Sequence, residues 1–342
     1  MDAVDDRASF DEQAIAACRA LLGEQAERAV FPAGRSRRSV RIHLAGRTVI
    51  ATARRNAARA AHEHAILRAL GAAGAPVPAV LAWRDGWLIQ EDIGEGRLTE
   101  DLAQAGPAGT ERLLDAAIEA LARCQAAGRQ VGLASGPFAG AAVLGATDEW
   151  RTTFAGMPVR LGTAVGIAPP PLDAAALAAR VQPPSVGFIK WDARPGNAVR
   201  RPDGSVAWFD WEHAGRRAPL DDLVWLFGDE YVGDWPDIED ALLARRLGAF
   251  ADGLSGAEAR DYLATMLCLH ACVRLALIVS YRQRDGRWWN RQRTMRDDRV
   301  GVDRELAIAV CAKAGRWAGR TGPTKPLVPW FGAVAAWFAA LA

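Results

Sequence analysis

The chain has 342 residues, of which 50% are hydrophobic and 24% charged, and its net charge is +2. This length is sufficient for two lobes with a sizeable hydrophobic core. The small net charge, without a helix-turn-helix or zinc-finger motif, argues against nucleic-acid binding. Five scattered cysteines without a Cys-x-x-Cys pair argue against a disulfide framework and a zinc site. The acidic N-terminus and the lack of a long uncharged apolar run predict a cytoplasmic protein that does not enter a membrane.

The first 92 residues predict a small antiparallel sheet with one inserted helix. An amphipathic helix comes first, at residues 11–22, and short strand-like runs separated by glycine turns follow. The predicted strands are 29–31, 39–44, 47–52, 75–81 and 86–91, and the inserted helix is 56–70. We expect these elements to form an N-terminal lobe, residues 1–92.

Residues 93–342 predict a larger, mainly helical lobe. Thr110 is a candidate N-cap for a helix that reaches about Ala127. Residues 156–184 are rich in proline, glycine and alanine and indicate no clear element, whereas Trp330–Ala342 predicts a helix docked on the body. The Asp203-Gly204 pair between two strand-like runs is a strong hairpin signal. The predicted fold class is therefore α+β, with two lobes.

Three polar residues around this hairpin form a candidate catalytic site. Asp192 and Asn197 precede the hairpin, and Asp210 ends its second strand, so the return of the chain brings Asp210 back towards Asn197. A carboxylate and an amide oxygen that converge in this way suit Mg²⁺, which prefers oxygen ligands. Asp192 can then accept a proton from a substrate hydroxyl or orient that hydroxyl, and phosphoryl transfer needs a group that orients the nucleophile. Solvated turn residues are the alternative interpretation of each residue alone.

The same residues carry a resemblance to a known family. In order, the motifs are Lys190-Trp191-Asp192, Pro195-Gly196-Asn197, Phe209-Asp210-Trp211-Glu212 and Asp222-Leu223. They are similar to the His-Gly-Asp, Pro-Gly-Asn, Ile-Asp-Trp-Glu and Asp-Leu motifs of the aminoglycoside phosphotransferase and choline kinase-like branch of the protein-kinase-like superfamily. The resemblance implies a two-lobed kinase fold and an ATP- and Mg²⁺-dependent kinase for a small-molecule hydroxyl. It makes Asp192 the catalytic base, Asn197 and Asp210 the Mg²⁺ ligands, and Asp222 a brace.

The resemblance also implies a nucleotide site in the small lobe. Its parts are a phosphate-covering loop between the first two strands, a glutamate on the inserted helix, and a hinge whose backbone binds adenine. The residues expected there are Gly34, Ser36, Arg41, Arg54, Glu63, Gln90, Glu91, Asp92 and Ile93.

The chain departs from the family pattern at two places. The family carries a lysine on its third strand, but no lysine precedes Lys190 here, so Arg41 and Arg54 are candidates to replace it. Lys190 and Trp191 stand where the family has His and Gly. Arg194, two residues after Asp192, is a candidate for stabilising the transferred charge, with a solvated loop arginine as the alternative.

The acceptor is less well indicated. Candidate acceptor contacts, from adjacency to Asp210 or from the position of relatives' pockets, are Trp211, Glu212, His270 and Arg274. Glu230 more closely fits a solvated surface carboxylate, and His270 a satisfied helix histidine. A loose likeness to cell-wall amino-sugar kinases adds amino sugars to aminoglycosides and amino alcohols as candidate acceptors.

Three interpretations stay open from the sequence. The first is an active small-molecule kinase, the second is a pseudokinase-like protein that binds nucleotide or a partner without turnover, and the third is an unrelated helical protein. The sequence does not decide ATP against GTP, or the oligomeric state.

Overall fold

The computed structural model describes residues 2–31, 38–134 and 143–341, with side chains from residue 10 onward. Its N-terminal part is a five-stranded antiparallel sheet in the order β1-β2-β3-β5-β4. The elements of this part are α1 (Asp2–Leu22), β1 (Ala26–Val30), β2 (Ser39–Leu44), β3 (Arg47–Ala53), α2 (Ala57–Ala72), β4 (Val80–Arg84) and β5 (Trp87–Glu91). The predicted small sheet with one inserted helix is thus confirmed.

Several predicted bounds in this part are wrong. α1 begins at Asp2 instead of residue 11, and β1 begins at Ala26. β4 begins at Val80 instead of residue 75, because Pro76 and Pro78 have no N–H to donate to the sheet. The Asn56 side chain caps α2 by accepting a hydrogen bond from the backbone N–H of Arg59.

The two faces of this sheet bury different helices. Ile89 belongs to a cluster with Phe10 and Cys18 of α1, whereas its neighbour Leu88 belongs to the main core with Leu67 of α2. Adjacent residues of a strand point to opposite faces, which explains the division. The main core continues from α2 into the helical part, and the lobe boundary at residue 92 stays a prediction.

The remainder of the described chain is mainly helical, as predicted. Its helices are α3 (Leu98–Gln104), α4 (Pro107–Gln130), α5 (Asp148–Ala155), α6 (Met157–Val165), α7 (Ala174–Arg180), α8 (Asp221–Gly228), α9 (Pro236–Arg246), α10 (Gly256–Asp285), α11 (Arg291–Arg296), α12 (Arg304–Ala318) and α13 (Leu327–Ala340). Its short strands are β6 (Gly187–Ile189), β7 (Ala198–Arg200), β8 (Val206–Trp208) and β9 (Gly215–Arg217). β6 pairs with β9, and β7 with β8, both antiparallel.

Two sequence-based expectations need correction in this part. α4 begins at Pro107, since proline is favoured in the first helical turn, and Thr110 is buried inside the helix instead of capping it. The region 156–184, which indicated no element, contains α6 and α7. α10 is long and apolar enough to cross a membrane by length and composition, but most of its apolar stretch is buried within the fold.

The C-terminal helix α13 docks on the body, as predicted. Its residues Phe331, Val334 and Phe338 are buried, and they join the core that includes α12. The Trp330 indole N–H donates to the carbonyl oxygen of Ile167 at 2.9 Å, which ties α13 to the end of α6.

We expect Phe331→Ala to lower the free energy of unfolding by about 3–5 kcal/mol, because it leaves a cavity between α12 and α13. Val328→Ala, on the same helix but 40% exposed, should change it by less than about 0.5 kcal/mol. Denaturant titration of both variants measures the difference. Equal effects would mean that α13 is not packed on the body as described.

Candidate active site

The β7–β8 hairpin places the candidate metal ligands side by side. Gly204 supplies the left-handed turn residue, with φ of +85°. After the turn, the backbone N–H of Phe209 donates to the carbonyl oxygen of Asn197 at 3.0 Å. Asp210 follows directly, so the predicted approach of Asp210 to Asn197 is confirmed.

The candidate base, Asp192, is held by two hydrogen bonds to its carboxylate. Arg194 Nε donates to Oδ1 at 2.8 Å, and Asn197 Nδ2 donates to Oδ2 at 2.9 Å. Trp191, Asp192 and Asp210 all have left-handed backbone angles, with φ between 52° and 60°. For residues other than glycine, such angles cost about 1–3 kcal/mol each and persist only where surrounding contacts impose them.

Asp222 is one source of those contacts. Its two carboxylate oxygens accept the backbone N–H groups of Lys190 and Trp191 at 3.0 and 2.9 Å, and Gln125 Nε2 donates at 2.9 Å. Asp222 is fully buried at the start of α8. It therefore holds the backbone immediately before Asp192.

Lys190 packs inward. Its side chain is buried, and Nζ donates to the carbonyl oxygen of Asp210 at 2.8 Å. The ammonium group also lies over the rings of Trp208 and Trp211, at 5.9 and 5.3 Å from their centroids. Burial lowers the pKa of Lys190. The residue thus fixes the left-handed turn at Asp210.

Arg54, directly after β3, binds three carboxylates from two segments of the chain. Its Nε and Nη2 donate to Glu63 of α2 at 2.8 and 3.0 Å. Nη2 also donates to Asp210, at 2.7 Å, and Nη1 donates to Glu212, at 2.8 Å. Of the two arginines considered as replacements for the absent lysine, Arg54 is therefore the one that pairs with the helix glutamate.

Arg41 holds the segment after β5 instead. Its guanidinium donates to the carboxylate of Asp92 and to the carbonyl oxygen of Gly94, and Thr48 also donates to Asp92, at 2.7 Å. Arg41, on β2, thus fixes the predicted hinge segment that follows β5.

A cavity of about 580 Å³ lies between the sheet and the helical part. The predicted nucleotide and metal residues that line it are Arg41, Arg54, Glu63, Gln90, Glu91, Asp92, Ile93, Asn197 and Asp210. Gly34 and Ser36, predicted for the phosphate-covering loop, lie outside the described residues. The cleft therefore brings together residues that are distant in sequence but were predicted for one site.

The acceptor residues next to Asp210 are placed differently from the prediction. Trp211 is completely buried, its ring stacks on Phe188, and its indole N–H donates to Trp208, so it cannot stack on a substrate. Glu212 lines the cavity, but its carboxylate pairs with Arg54. Trp211 is thus a core residue, and Glu212 belongs to the Arg54 cluster.

His270 and Arg274 do not line the cavity either. Arg274 makes two 2.7 Å hydrogen bonds with Glu230, in an ion pair that is buried inside the helical part. The expectation of an exposed Glu230 is therefore wrong. His270 is buried beside Trp225, and burial lowers its pKa to about 3. Its placement agrees with the alternative of a core histidine.

Two residues at the site were missed by the sequence analysis. Asp298, at a φ of 48°, accepts hydrogen bonds from Arg194 at 3.2 and 3.3 Å. Arg97 donates to the carbonyl oxygen of Gly196 and lies 3.8 Å from Asp298. A Cβ atom at Gly196 would collide with the Asp298 carboxylate, which explains the glycine there. The Arg194 guanidinium therefore binds Asp192 and Asp298. The sequence instead predicted that it would stabilise the charge of the transferred phosphate.

We expect Arg54→Ala to lower the free energy of unfolding by about 3–5 kcal/mol, because it leaves the Glu63 carboxylate buried without its cation. Burial already raises the pKa of Glu63. Glu63→Gln in the Arg54→Ala background should restore part of the loss. Arg59→Ala, at an arginine 54% exposed and 4.0 Å from Glu212, should cost less than about 1 kcal/mol. Similar losses in both arginine variants would contradict this cluster.

A pH dependence follows from Asp222, whose pKa burial raises to about 6. The unfolded carboxyl group titrates near 4, so the folded state binds the proton more tightly. The stability that this group contributes is fully present below about pH 4 and is lost as the pH rises through about 6. The side chain of the Asp222→Asn variant cannot ionise, so the variant lacks this pH dependence. The difference in free energy of unfolding, wild type minus variant, should therefore fall by about 3 kcal/mol from well below pH 4 to well above pH 6. A rise over that interval would contradict the assignment.

Comparison with known proteins identifies relatives of this fold. The model of the phosphotransferase enzyme family matches residues 27–263. A solved structure from Ralstonia eutropha, assigned as an aminoglycoside phosphotransferase, is 17% identical with a TM-score of 0.56, over 90% of this chain and 98% of that chain. A spectinomycin phosphotransferase solved with ADP and spectinomycin is 11% identical with a TM-score of 0.51, over 88% and 98%. No curated protein matches significantly.

These likenesses show a kinase-like fold, and the family model spans more than half of the sequence and includes the Asp192, Asn197 and Asp210 segment. The chain therefore belongs to the phosphotransferase enzyme family.

Proposed function

We propose that the protein is an ATP- and Mg²⁺-dependent kinase that phosphorylates a hydroxyl group of a small molecule. The observation that carries this proposal is the convergence of Asp192, Asn197 and Asp210 around one hairpin. Asn197 and Asp210 line a cleft that also contains the Arg54–Glu63 pair, and Asp192 is bound to Asn197. Solvated turn residues would not need a buried brace such as Asp222.

The donor set fits Mg²⁺. Asn197 and Asp210 are the residues that would hold the ion, because carboxylate and amide oxygens are its preferred protein ligands. Nδ2 of Asn197 donates to Asp192, which leaves Oδ1 as the ligand atom of this amide. One or two protein ligands suffice, since Mg²⁺ keeps waters and binds substrate phosphates. When bound, the ion neutralises phosphate charge.

Asp192 acts as the base in this proposal. The hydrogen bonds from Arg194 and Asn197 fix the carboxylate, so it meets the acceptor in a set orientation and accepts the hydroxyl proton. Arg194 is bound to Asp298 at the same time, which makes it a positioning residue for Asp192. Arg54 takes the place of the strand lysine at the phosphates, with Glu63 fixing its orientation.

The acceptor class stays broad. Relatives of this fold include a spectinomycin phosphotransferase, and that protein was solved with spectinomycin. For this chain we propose a small hydroxylated molecule such as an amino sugar, an aminoglycoside or an amino alcohol.

A second candidate is a nucleotide-binding protein without turnover. One contact favours it: Arg54 Nη2 donates to Asp210 at 2.7 Å, so an arginine occupies a carboxylate that the metal needs. An active enzyme must shift this contact when Mg·ATP enters. Turnover with any acceptor therefore separates the two candidates.

We expect Asp192→Asn to lower the rate of ATP consumption with a competent acceptor by about 10²–10⁴-fold, because the carboxamide cannot accept the proton. Mg·ATP binding should be retained. The measurement is a coupled ADP-release assay on a panel of amino sugars, aminoglycosides, amino alcohols and neutral sugars. Asp203→Asn, at the exposed hairpin turn, is the matched control and should keep full activity.

Two outcomes would contradict the kinase. Mg·ATP binding without turnover across the panel would favour the non-catalytic candidate. Equal activity in wild type and Asp192→Asn would remove Asp192 from the mechanism, even if the protein consumes ATP.

A further inference from the structure

Gln90 presents an unsatisfied carboxamide at the wall of the cleft. It lies on β5, between β3 and β4, and its residue is 7% exposed. Its Oε1 is buried and has no hydrogen-bond partner in the described parts of the chain. A buried polar atom without a partner costs about 1–3 kcal/mol, and native proteins leave few of them. Because Gln90 lines the cavity, a bound ligand can supply the missing hydrogen-bond partner of Oε1.

Other buried polar side chains of this wall are already paired. The Thr52 hydroxyl forms a hydrogen bond with the hydroxyl of Ser39, its partner at the start of β2, at 2.9 Å. Arg41 is bound to Asp92, and Glu63 to Arg54. These groups fix the wall, whereas the Gln90 carboxamide is left for what enters the cleft.

The chemistry of a carboxamide restricts that ligand. It offers one N–H donor edge and one carbonyl acceptor in a single plane. The 6-amino group and N7 of adenine present the complementary donor and acceptor, and glutamine reads adenine through this pair in nucleic-acid complexes. Guanine presents O6 and N7, which are both acceptors, so either orientation of the amide leaves two acceptors facing each other.

We propose that the Gln90 side chain binds the amino group and N7 of adenine and makes the site selective for ATP over GTP. This inference rests on the proposed function, in which the neighbouring segment from Glu91 to Ile93 is the hinge beside the base. The hinge backbone supplies binding to either purine. Gln90 adds the discrimination between them.

The test is calorimetric binding of Mg²⁺ complexes of non-hydrolysable ATP, GTP and 7-deaza-ATP analogues, the last of which lacks N7. Wild type should bind the ATP analogue about 10–100-fold more tightly than the GTP analogue. Gln90→Leu should weaken binding of the ATP analogue and should not weaken binding of the GTP analogue, because the variant also removes the acceptor that faces guanine. The preference should therefore disappear. Replacing N7 should weaken binding of the ATP analogue to wild type. It should leave the affinity of Gln90→Leu for the analogue unchanged.

Two controls keep the result interpretable. Gln104→Leu, at an exposed glutamine of α3, should keep the wild-type preference. Without nucleotide, Gln90→Leu should be at least as thermally stable as wild type, because it removes an unsatisfied buried amide.

The outcomes separate the two proposals. If the ratio of the affinities for the ATP and GTP analogues is the same in wild type and Gln90→Leu, the role of Gln90 is overturned. The proposed kinase function is not affected by that result. Binding of neither analogue by folded wild type would overturn both.

Discussion

The guanidinium of Arg54 is the contact on which the cleft depends. It binds Glu63 from the helix of the small sheet, and Asp210 and Glu212 from beyond the hairpin, so one side chain joins parts of the chain that are far apart in sequence. A planar guanidinium can bind several carboxylates at once, whereas a lysine ammonium is a single compact charge. The absence of lysine from the small sheet is therefore compensated within the fold.

Buried hydrogen bonds hold the left-handed backbone of the candidate catalytic loop. Trp191, Asp192 and Asp210 have left-handed backbone angles, and each lies beside a buried contact that holds it. Asp222 accepts the N–H groups before Asp192, and Lys190 donates to the carbonyl of Asp210. Lys190, which stands where the family has a histidine, thus has a structural role in holding the turn at Asp210.

The local part of the site could be predicted from the sequence, because hairpin geometry and turn residues act over short distances. Hairpin geometry therefore predicts the approach of Asp210 to Asn197. Arg54 is a candidate partner of Glu63 for another reason, its position on the third strand in the family resemblance. Asp298 could not be found in this way. It reaches Arg194 from a loop 104 residues later, and no local pattern records that approach.

Burial was the other limit. Trp211 stands next to a candidate metal ligand, yet its ring packs on Phe188, and only tertiary packing decides between core and cleft. The same holds for Glu230, whose buried partner Arg274 is 44 residues away. For Gln90 the sequence indicated a hinge position, whereas its unsatisfied carboxamide is visible only in three dimensions.

The most direct test of the site is whether nucleotide binding depends on a metal held by Asp210. Calorimetric titration of a non-hydrolysable ATP analogue, with Mg²⁺ and then with EDTA, should give tight binding only with the metal. The Asp210→Asn variant should bind the analogue weakly in both conditions. Binding that is equally tight with EDTA, or unchanged in the variant, would contradict a Mg·ATP site at this cleft.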